Sequence, residues 1–425
     1  MTVQLPLLVS PAGSHEIAEA AFAHGADAVY VGLGQTNLRA HCPNFTVPQL
    51  AELVTVAHAM SRRVYAALNI LPYDEQMPSI QATLREISAA GTAPDAFIVS
   101  DPGVLVLCQR HAPSVPVHWS TQAGTFNTES MRFWQGLGVL QFVLPREFTL
   151  AQIAAISRLG ETEVFIHGAM CMAVSGRCLM GAHLTGRHPN LGDCPQYCRL
   201  AYEVRPAPSA STGIVNATAD SESDQDSRWL PVIEDADGSY LMNSKDLCCL
   251  SILPQLVRTG ARALKIEGRN KSIHYVSSVV RAYRAALDAY ARAPEAFRVE
   301  QEWLDELERV EHRPYTTGFY AGDMVLQEVR PSSRTIAGVQ ILGIVRDVLG
   351  DGRAVVDVKF PFAAGDVVEV LPRDRTRRAF EATIPAIRGL SGQALDRVRT
   401  HRLVVIHPTD GLLCEGDVLR MKSGQ

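Results

Sequence analysis

Residues 5–34 read LPLLVSPAGSHEIAEAAFAHGADAVYVGLG and contain one complete strand–helix–strand unit. Leu5 to Val9 and Ala28 to Gly32 are short apolar runs, and such runs predict buried strands. Between them, His15 to His24 has the apolar spacing of an amphipathic helix and is followed by Gly25, a common residue at a helix C-terminus. We therefore expect two parallel strands joined by a helix.

The same alternation continues through about the first 270 residues. Further predicted strands are Val64 to Leu68, Ala96 to Ser100, Val117 to Ser120, Phe142 to Leu144, Glu163 to Ile166 and Ala263 to Ile266. Further predicted helices include Val47 to Met60, Ile80 to Ala90 and Leu150 to Leu159. Eight strands alternating with helices favour a TIM-like (β/α)8 barrel, an α/β fold, with an open doubly wound sheet as the alternative.

One connection is much longer than the others. Residues 168–244 form an insertion after the seventh strand, before a helix predicted from Lys245 to Val257. From residue 315 the pattern changes to short strand-like runs: Val339 to Val348, Ala354 to Val358, Val367 to Leu371, Leu403 to Ile406 and Val418 to Met421. The sequence therefore predicts a barrel domain over residues 1–314 and a small C-terminal β-barrel over residues 315–425.

The composition is that of an ordinary globular protein, with 425 residues, 47% hydrophobic residues and a formal net charge of −5. It excludes wholesale disorder and a small disulfide scaffold. No apolar run approaches the roughly 20 residues that span a bilayer, and the first residues do not resemble a signal peptide, so we expect no membrane contact and a cytoplasmic location. Contact with nucleic acid would need a local basic patch. Arg373, Arg375, Arg377 and Arg378 are the candidate patch, with a solvated hairpin tip as the alternative.

Four of the nine cysteines cluster in the insertion, with the spacing Cys171-x6-Cys178-x15-Cys194-x3-Cys198. In a reducing compartment such clustering indicates a metal or redox site rather than disulfides. Six residues between the first two cysteines is wide for structural zinc, whereas an iron–sulfur cluster tolerates irregular spacing. An iron–sulfur cluster is favoured, with zinc and unrelated free thiols as the alternatives.

Polar side chains follow several predicted strands, and in a closed barrel such positions surround one cavity. Arg269 and Lys271 also stand at the start of a predicted helix, where free N–H groups favour an anion. The chain lacks an HExxH zinc-protease motif and a Gly-x-Ser-x-Gly nucleophile elbow. The candidate residues at the strand ends include Asn69, Arg146, Glu147, His167, Glu267 and Arg269.

The stretch EVFIHGAMCMAVSGRC, residues 163–178, closely resembles the signature of peptidase family U32, the collagenase-like proteins. Residues 8–13 (LVSPAG), 24–32 (HGADAVYVG), 243–247 (NSKDL) and 265–269 (KIEGR) are also similar to this family. The resemblance covers nearly the whole chain. It is strongest to the branch that forms 5-hydroxyuridine at the wobble position of tRNA.

The resemblance implies an oxygen-independent RNA hydroxylase that uses prephenate and an iron–sulfur cluster, expected as 4Fe–4S, on Cys171, Cys178, Cys194 and Cys198. A tRNA substrate and an electron-transfer partner are implied as well. His167 and Glu147 are then the candidate proton-transfer residues. A U32-type peptidase, and hydroxylation of rRNA or of a quinone ring with a partner subunit, are the alternatives. The candidate substrate-binding residues are Asn69, Arg146, Arg177, Lys245, Glu267, Arg269 and Lys271.

Overall fold

A computed structural model provides the structure of the chain. It describes residues 4–38, 44–171, 173–178, 180, 182, 187–194, 198, 233–235, 238–240, 244–322, 338–409 and 411–422.

The first domain is a closed parallel barrel of eight strands. Neighbouring strands pair in chain order, and the last barrel strand closes the sheet by pairing with both the first and the seventh. The register of closure pairs Leu7 with Ala263 and Ala263 with Glu163. The predicted (β/α)8 barrel is thus confirmed. Its strands are β1 (Leu7–Pro11), β2 (Ala28–Gly32), β3 (Arg63–Leu68), β4 (Ala96–Val99), β5 (Val117–Trp119), β6 (Val139–Val143), β7 (Glu161–Ala169) and β11 (Ala263–Ile266).

Helices cover the outside of the barrel and begin with the polar caps that the sequence supplies. Ser14 accepts a hydrogen bond from the Ile17 N–H, and Thr46 forms a capping box with Gln49. Such caps satisfy N–H groups that have no partner inside the helix. The helices are α1 (His15–Ala23), α2 (Val47–Ala59), α3 (Met77–Ala89), α4 (Pro102–His111), α5 (Thr128–Gly136), α6 (Leu150–Ser157), α7 (Leu253–Arg258), α8 (Ile273–Arg292) and α9 (Gln301–Glu308).

The helix predicted from Lys245 to Val257 is wrong in its first half. β7 continues beyond the barrel rim, and a strand at Asp246–Cys248 (β10) pairs antiparallel with it, joining Cys248 to His167. The helix itself starts only at Leu253, with Pro254 in its first turn. Proline is tolerated there because the first-turn N–H groups have no helical partner. Two short strands, β8 (Ile233–Asp235) and β9 (Gly238–Tyr240), form a hairpin earlier in the insertion.

The C-terminal residues form a curled antiparallel sheet of eight strands, which confirms the predicted β domain. The sheet has its own buried core around Val356, Val370 and Leu419. Its strands are β13 (Val339–Val348), β14 (Ala354–Val358), β15 (Val367–Leu371), β16 (Phe380–Thr383), β17 (Ile387–Gly389), β18 (Ala394–Leu395), β19 (Leu403–Ile406) and β20 (Val418–Lys422).

Residues just beyond 314 still pack on the barrel. Tyr315–Thr316 (β12) pairs with β10, and the Tyr320 hydroxyl donates to the Phe165 carbonyl at 2.7 Å. The position of the domain boundary therefore remains a prediction. Among the described helices, none is both long and apolar enough to cross a membrane.

Candidate active site

A cavity opens at the carboxyl ends of the barrel strands, which is where barrel enzymes place their active sites. Residues of the barrel form its floor and one wall, and residues of the insertion form the other wall. The polar or charged barrel residues that line it include Asn69 after β3, Gln122 after β5, Arg146 after β6, and Glu267 and Arg269 after β11.

The floor of the cavity contains a buried ion pair. Lys265 of β11 donates to Glu163 of β7 at 2.6 Å, and both side chains are almost completely buried. Gln141 donates to the second carboxylate oxygen of Glu163 at 3.0 Å. The Lys265 ammonium also lies 4.2 Å from the centroid of the Tyr30 ring. These contacts hold one positive charge at the base of the cavity, because a buried charge is tolerated when it is paired.

Two arginines add positive charge to the same cavity. The Arg146 guanidinium stacks on Phe165, with Cζ 3.6 Å from the ring centroid. Arg269 is buried and donates to the side chain of Asn37. The cavity therefore presents Arg146, Lys265 and Arg269, partly balanced by Glu163 beside Lys265 and by Glu267 at the rim. Such a set suits an anionic small molecule such as a carboxylate.

All four clustered cysteines line this cavity. Cys171 is exposed and the other three are half-buried. The Cys171 and Cys178 sulfurs each accept a backbone N–H, from Ala173 and Met180 respectively, at 3.4 Å. Within the part of the chain that the structure describes, no three His, Cys, Asp or Glu side chains are grouped as they would be around a single metal ion.

Short polar contacts fix the cysteine segment to the barrel. Arg177 donates to the carbonyls of Gln122 and Ala123 at 2.6 and 3.1 Å. Glu147 accepts the Ser175 N–H at 2.7 Å. Arg177 and Glu147 do not themselves line the cavity. In this structure the two residues position the loop that carries Cys171 and Cys178, and their predicted roles in substrate binding and proton transfer stay predictions.

His167 lies away from the cavity, in contrast to its predicted catalytic role. Its ring packs among Tyr275, Tyr283 and Tyr315, and it is fully buried. Burial, assisted by the nearby positive charge of Lys271, lowers the pKa of His167 to about 3. A neutral, buried imidazole that does not line the cavity gives little support to the proton-transfer role, which stays a prediction.

Lys245 and Lys271 also stay outside the cavity. Lys271 donates to the Glu311 carbonyl at 3.1 Å and so contacts the chain after α9, while its predicted substrate contact stays a prediction. Of the predicted substrate-binding residues, the structure brings together Asn69, Arg146, Glu267 and Arg269.

The predicted RNA-binding arginines lie where the C-terminal sheet meets the barrel. Arg373 pairs with Glu19 of α1 at 3.5 Å, and Arg375 pairs with Asp288 of α8 at 2.7 Å. Arg377 donates to the Leu412 carbonyl at 2.5 Å, while Arg378 is exposed. Because three of these four guanidinium groups already have partners, the structure favours a contact between domains over a free basic patch.

Sequence reasoning missed Lys265 and Glu163 as site residues. A lysine in the third position of the apolar strand Ala263–Ile266 is the signal that was available, because a charge in a buried strand needs a partner. Glu163 in the neighbouring strand provides it. Both side chains point into the barrel because alternate strand residues share one face.

Known proteins place the chain in a family. The model of "Peptidase family U32" matches residues 13–328. The chain is 37% identical over 319 residues to tRNA hydroxylation protein P1 of Bacillus subtilis, covering 75% of this chain and 71% of that one. It is 35% identical to tRNA hydroxylation protein P of Escherichia coli, covering 74% of each. It is 32% identical to the 23S rRNA 5-hydroxycytidine C2501 synthase of Escherichia coli, covering 86% of this chain and 52% of that one. The sequence signature, the barrel and these matches agree, and the chain belongs to peptidase family U32.

Proposed function

We propose that this chain is an RNA-modifying hydroxylase that forms 5-hydroxyuridine at the wobble position of tRNA, with prephenate as co-substrate. Two relatives at 37% and 35% identity are named tRNA hydroxylation proteins, and a third is a synthase of hydroxycytidine in rRNA. The observation that carries the proposal is the cavity itself. Four cysteines and the cations Arg146, Lys265 and Arg269 line one space at the barrel mouth.

The cysteine wall fits an iron–sulfur cluster. Iron–sulfur clusters are held by cysteine thiolates, and Cys171, Cys178, Cys194 and Cys198 all line one cavity. Backbone N–H groups that donate to the Cys171 and Cys178 sulfurs stabilise the thiolate form and are a usual part of such sites. Cys171, Cys178, Cys194 and Cys198 would hold the cluster, and the cluster would supply one-electron chemistry. An electron-transfer partner belongs to the same proposal.

The remaining residues of the cavity bind and orient the co-substrate. Prephenate carries two carboxylates, and Arg146 and Arg269 are the guanidinium groups available to pair with them. The Lys265 ammonium supplies a fixed positive charge beneath the substrate, held in place by Glu163. Apolar side chains such as Phe165 and Ile98 exclude water from the floor. An anticodon loop suits this mouth because its bases leave the stack at little cost.

The peptidase alternative has less support. A serine or cysteine peptidase needs a base beside its nucleophile, usually histidine. Among the described residues no histidine lines the cavity. The buried His118 and His167, whose pKa values burial lowers to about 3, are poorly suited to that role.

The test is nucleoside mass spectrometry of tRNA and rRNA from cells that lack the gene. We expect tRNA 5-hydroxyuridine to disappear, to return with the wild-type gene, and to stay absent with Cys171→Ala. Unchanged 5-hydroxyuridine in the deletion strain would overturn the tRNA assignment. Loss of 5-hydroxycytidine from rRNA instead would move the activity to the rRNA alternative. Anaerobic purification should give a brown protein, with broad absorption near ~400 nm from thiolate-bound iron and sulfide.

A further inference from the structure

Three exposed arginines lie close together in the sequence of the C-terminal sheet, on a different segment from Arg373 and Arg375, which contact the barrel. Arg397 and Arg399 flank Val398, whose side chain is buried in the core of the sheet, and Arg402 follows three residues later. Among the residues that the structure describes, the side chains of Arg397, Arg399 and Arg402 have no hydrogen-bond or ion-pair partner. In this they differ from Arg373 and Arg375, whose guanidinium groups are paired with Glu19 and Asp288.

These arginines lie in residues 396–402, which are hydrogen-bonded to residues 358–364 through backbone groups and one antiparallel bridge between Ala363 and Arg397. Backbone hydrogen bonds join Val398 to Phe362, Val358 to Arg402 and Ala364 to Asp396, with lengths of 2.8–2.9 Å. The exposed Phe360 and Lys359 belong to the segment that is hydrogen-bonded to the arginine segment. We call residues 358–364 and 396–402 the arginine ribbon.

A chain of ion pairs places one end of the arginine ribbon at the rim of the barrel. Glu16 lies in the first turn of α1, which begins just after the carboxyl end of β1, the end at which the cavity opens. Arg346 of the sheet bridges Glu16 and Asp357, with the Asp357 contact at 2.5 Å. Asp357 in turn pairs with Lys359 at 2.9 Å. The arginine ribbon therefore starts close to the first turn of α1, at the end of the barrel on which the cavity opens.

The charge on the arginine ribbon is mostly uncompensated. Asp357 is already shared between Arg346 and Lys359. Asp396 is the acidic neighbour within the ribbon, against three arginines. The whole chain has a net charge of −5. A local surplus of positive charge on such a chain therefore indicates a surface that binds a polyanion.

We infer that the arginine ribbon is the surface that binds the phosphate backbone of the RNA substrate and guides it to the cavity. Arg397, Arg399 and Arg402 contact phosphates, and Phe360 offers a ring on which an unpaired base stacks. Interleaved arginines and an exposed aromatic ring are the combination that recognises looped or single-stranded RNA. The inference rests on the proposed function, because it takes RNA as the substrate.

The experiment compares the triple variant Arg397→Gln/Arg399→Gln/Arg402→Gln with the wild-type chain. The probe is an unmodified tRNA transcript, and binding is followed by fluorescence anisotropy over a range of salt concentrations. Each lost phosphate contact lowers the slope of log Kd against log salt by ~0.7–0.9, so we expect a loss of ~2 or more in slope and a Kd raised at least ~10-fold. Phe360→Ala should raise Kd ~10-fold with little change in slope, because stacking is not ionic.

The matched control is Arg85→Gln/Arg110→Gln/Arg158→Gln, which removes the same charge from exposed positions on or next to α3, α4 and α6. It should keep the wild-type Kd and slope. The inference is overturned if the two triple variants change Kd and slope equally. It is also overturned if the ribbon variant melts at the wild-type temperature and binds tRNA as the wild type does. The proposed function is tested separately. If the wild-type chain binds tRNA and the ribbon variant loses salt dependence, but no assay gives 5-hydroxyuridine, the arginine ribbon remains an RNA-binding surface and the hydroxylase assignment is wrong.

Discussion

Lys265 and Glu163 form a buried ion pair. Substitution of either residue alone leaves the charge of the other buried without its ion-pair partner. Lys265→Met should lower the free energy of unfolding by about 3–5 kcal/mol, because the Glu163 carboxylate stays buried without its partner. Urea denaturation measures this loss. The variant should also lose hydroxylation, since the ammonium is the fixed positive charge of the cavity floor.

The double variant Lys265→Met/Glu163→Gln separates stability from activity. It removes both charges, and the amide introduced in place of the carboxylate can still hydrogen-bond to the neighbouring Gln141, so stability should return to within about 1–2 kcal/mol of the wild type. Hydroxylation should stay absent. A double variant as unstable as the single one would show that the loss of stability does not come from an unpaired Glu163 carboxylate.

Gly32 leaves the space in which the Arg269 side chain lies. A Cβ atom at this position would collide with the Arg269 guanidinium and with the side chains of Asn37 and Asn44. Gly32→Ala should therefore displace Arg269 and lower kcat/KM for the co-substrate at least ~10-fold, as expected when a charged hydrogen bond is lost. Gly136→Ala is the control, because a Cβ there meets open space. Steady-state kinetics of both variants checks the prediction, and equal kinetics would contradict it.

At the scale of elements, the loop that carries Cys171 and Cys178 is held to the barrel by few contacts. Arg177→Ala removes both hydrogen bonds to the segment Thr121–Ala123. We expect less iron and sulfide per chain after anaerobic purification, with the barrel still folded, because the ligands lose their fixed position. The exposed Arg158 provides the control substitution Arg158→Ala. Full iron and sulfide content in Arg177→Ala would contradict the positioning role.

The strands and the helices of the barrel could be predicted because their residues carry a local pattern. The first two units, Leu7–Pro11 to Gly32, match the prediction within about two residues. The strand Asp246–Cys248 could not be predicted, because it forms only where β7 extends beyond the barrel and pairs with it. The contact of Arg373 with Glu19 likewise joins positions far apart in sequence. Neighbouring arginines in a sequence do not show whether they face solvent or another domain.

The same limit applies to the candidate site. Asn69, Arg146, Glu267 and Arg269 were predictable because strand ends of a closed barrel share one cavity. His167 is also at a strand end, but β7 runs past the rim and turns this side chain toward the tyrosines of the core.

At the scale of the whole molecule, buried histidines make stability depend on pH. Burial lowers the pKa of His24, His118, His167 and His274 to about 3, against an ordinary value of 6.5. The unfolded chain therefore binds protons between pH 6.5 and 3 that the folded chain does not. Stability is complete above pH ~6.5 and falls as the pH decreases, by about 1.4 kcal/mol per pH unit for each histidine.

His167→Phe tests this dependence at one of the four positions, because a phenyl ring suits the surrounding tyrosines. Urea denaturation from pH 7 to 5 should give a smaller loss of stability in the variant, with the slope reduced by about 1.4 kcal/mol per pH unit at the acidic end. An unchanged slope would mean that His167 is protonated in the folded protein.

One of the ion pairs that join the two domains is buried. Arg420 of β20 is fully buried and binds Glu306 of α9 through two nitrogens, at 2.6 and 2.8 Å. Although burial raises it, hydrogen bonds from Arg420 and then Ser278 lower the pKa of Glu306 to about 2, so the pair is ionised near neutral pH. Because this contact fixes the C-terminal sheet beside the barrel, it also fixes the arginine ribbon relative to the cavity.

Arg420→Met should uncouple the two domains. It removes both buried contacts of Glu306 with Arg420 and leaves only Arg309, at 3.1 Å, and Ser278 as partners, which costs up to about 3–5 kcal/mol and should let the sheet separate before the barrel unfolds. Differential scanning calorimetry should then show two transitions in place of one, and limited proteolysis should degrade the sheet while the barrel stays intact. Arg353→Met, at an exposed pair with Asp351, should change neither. A single transition in Arg420→Met, lowered as a whole, would show that barrel and sheet unfold as one unit and that other contacts suffice to hold the arginine ribbon at the rim.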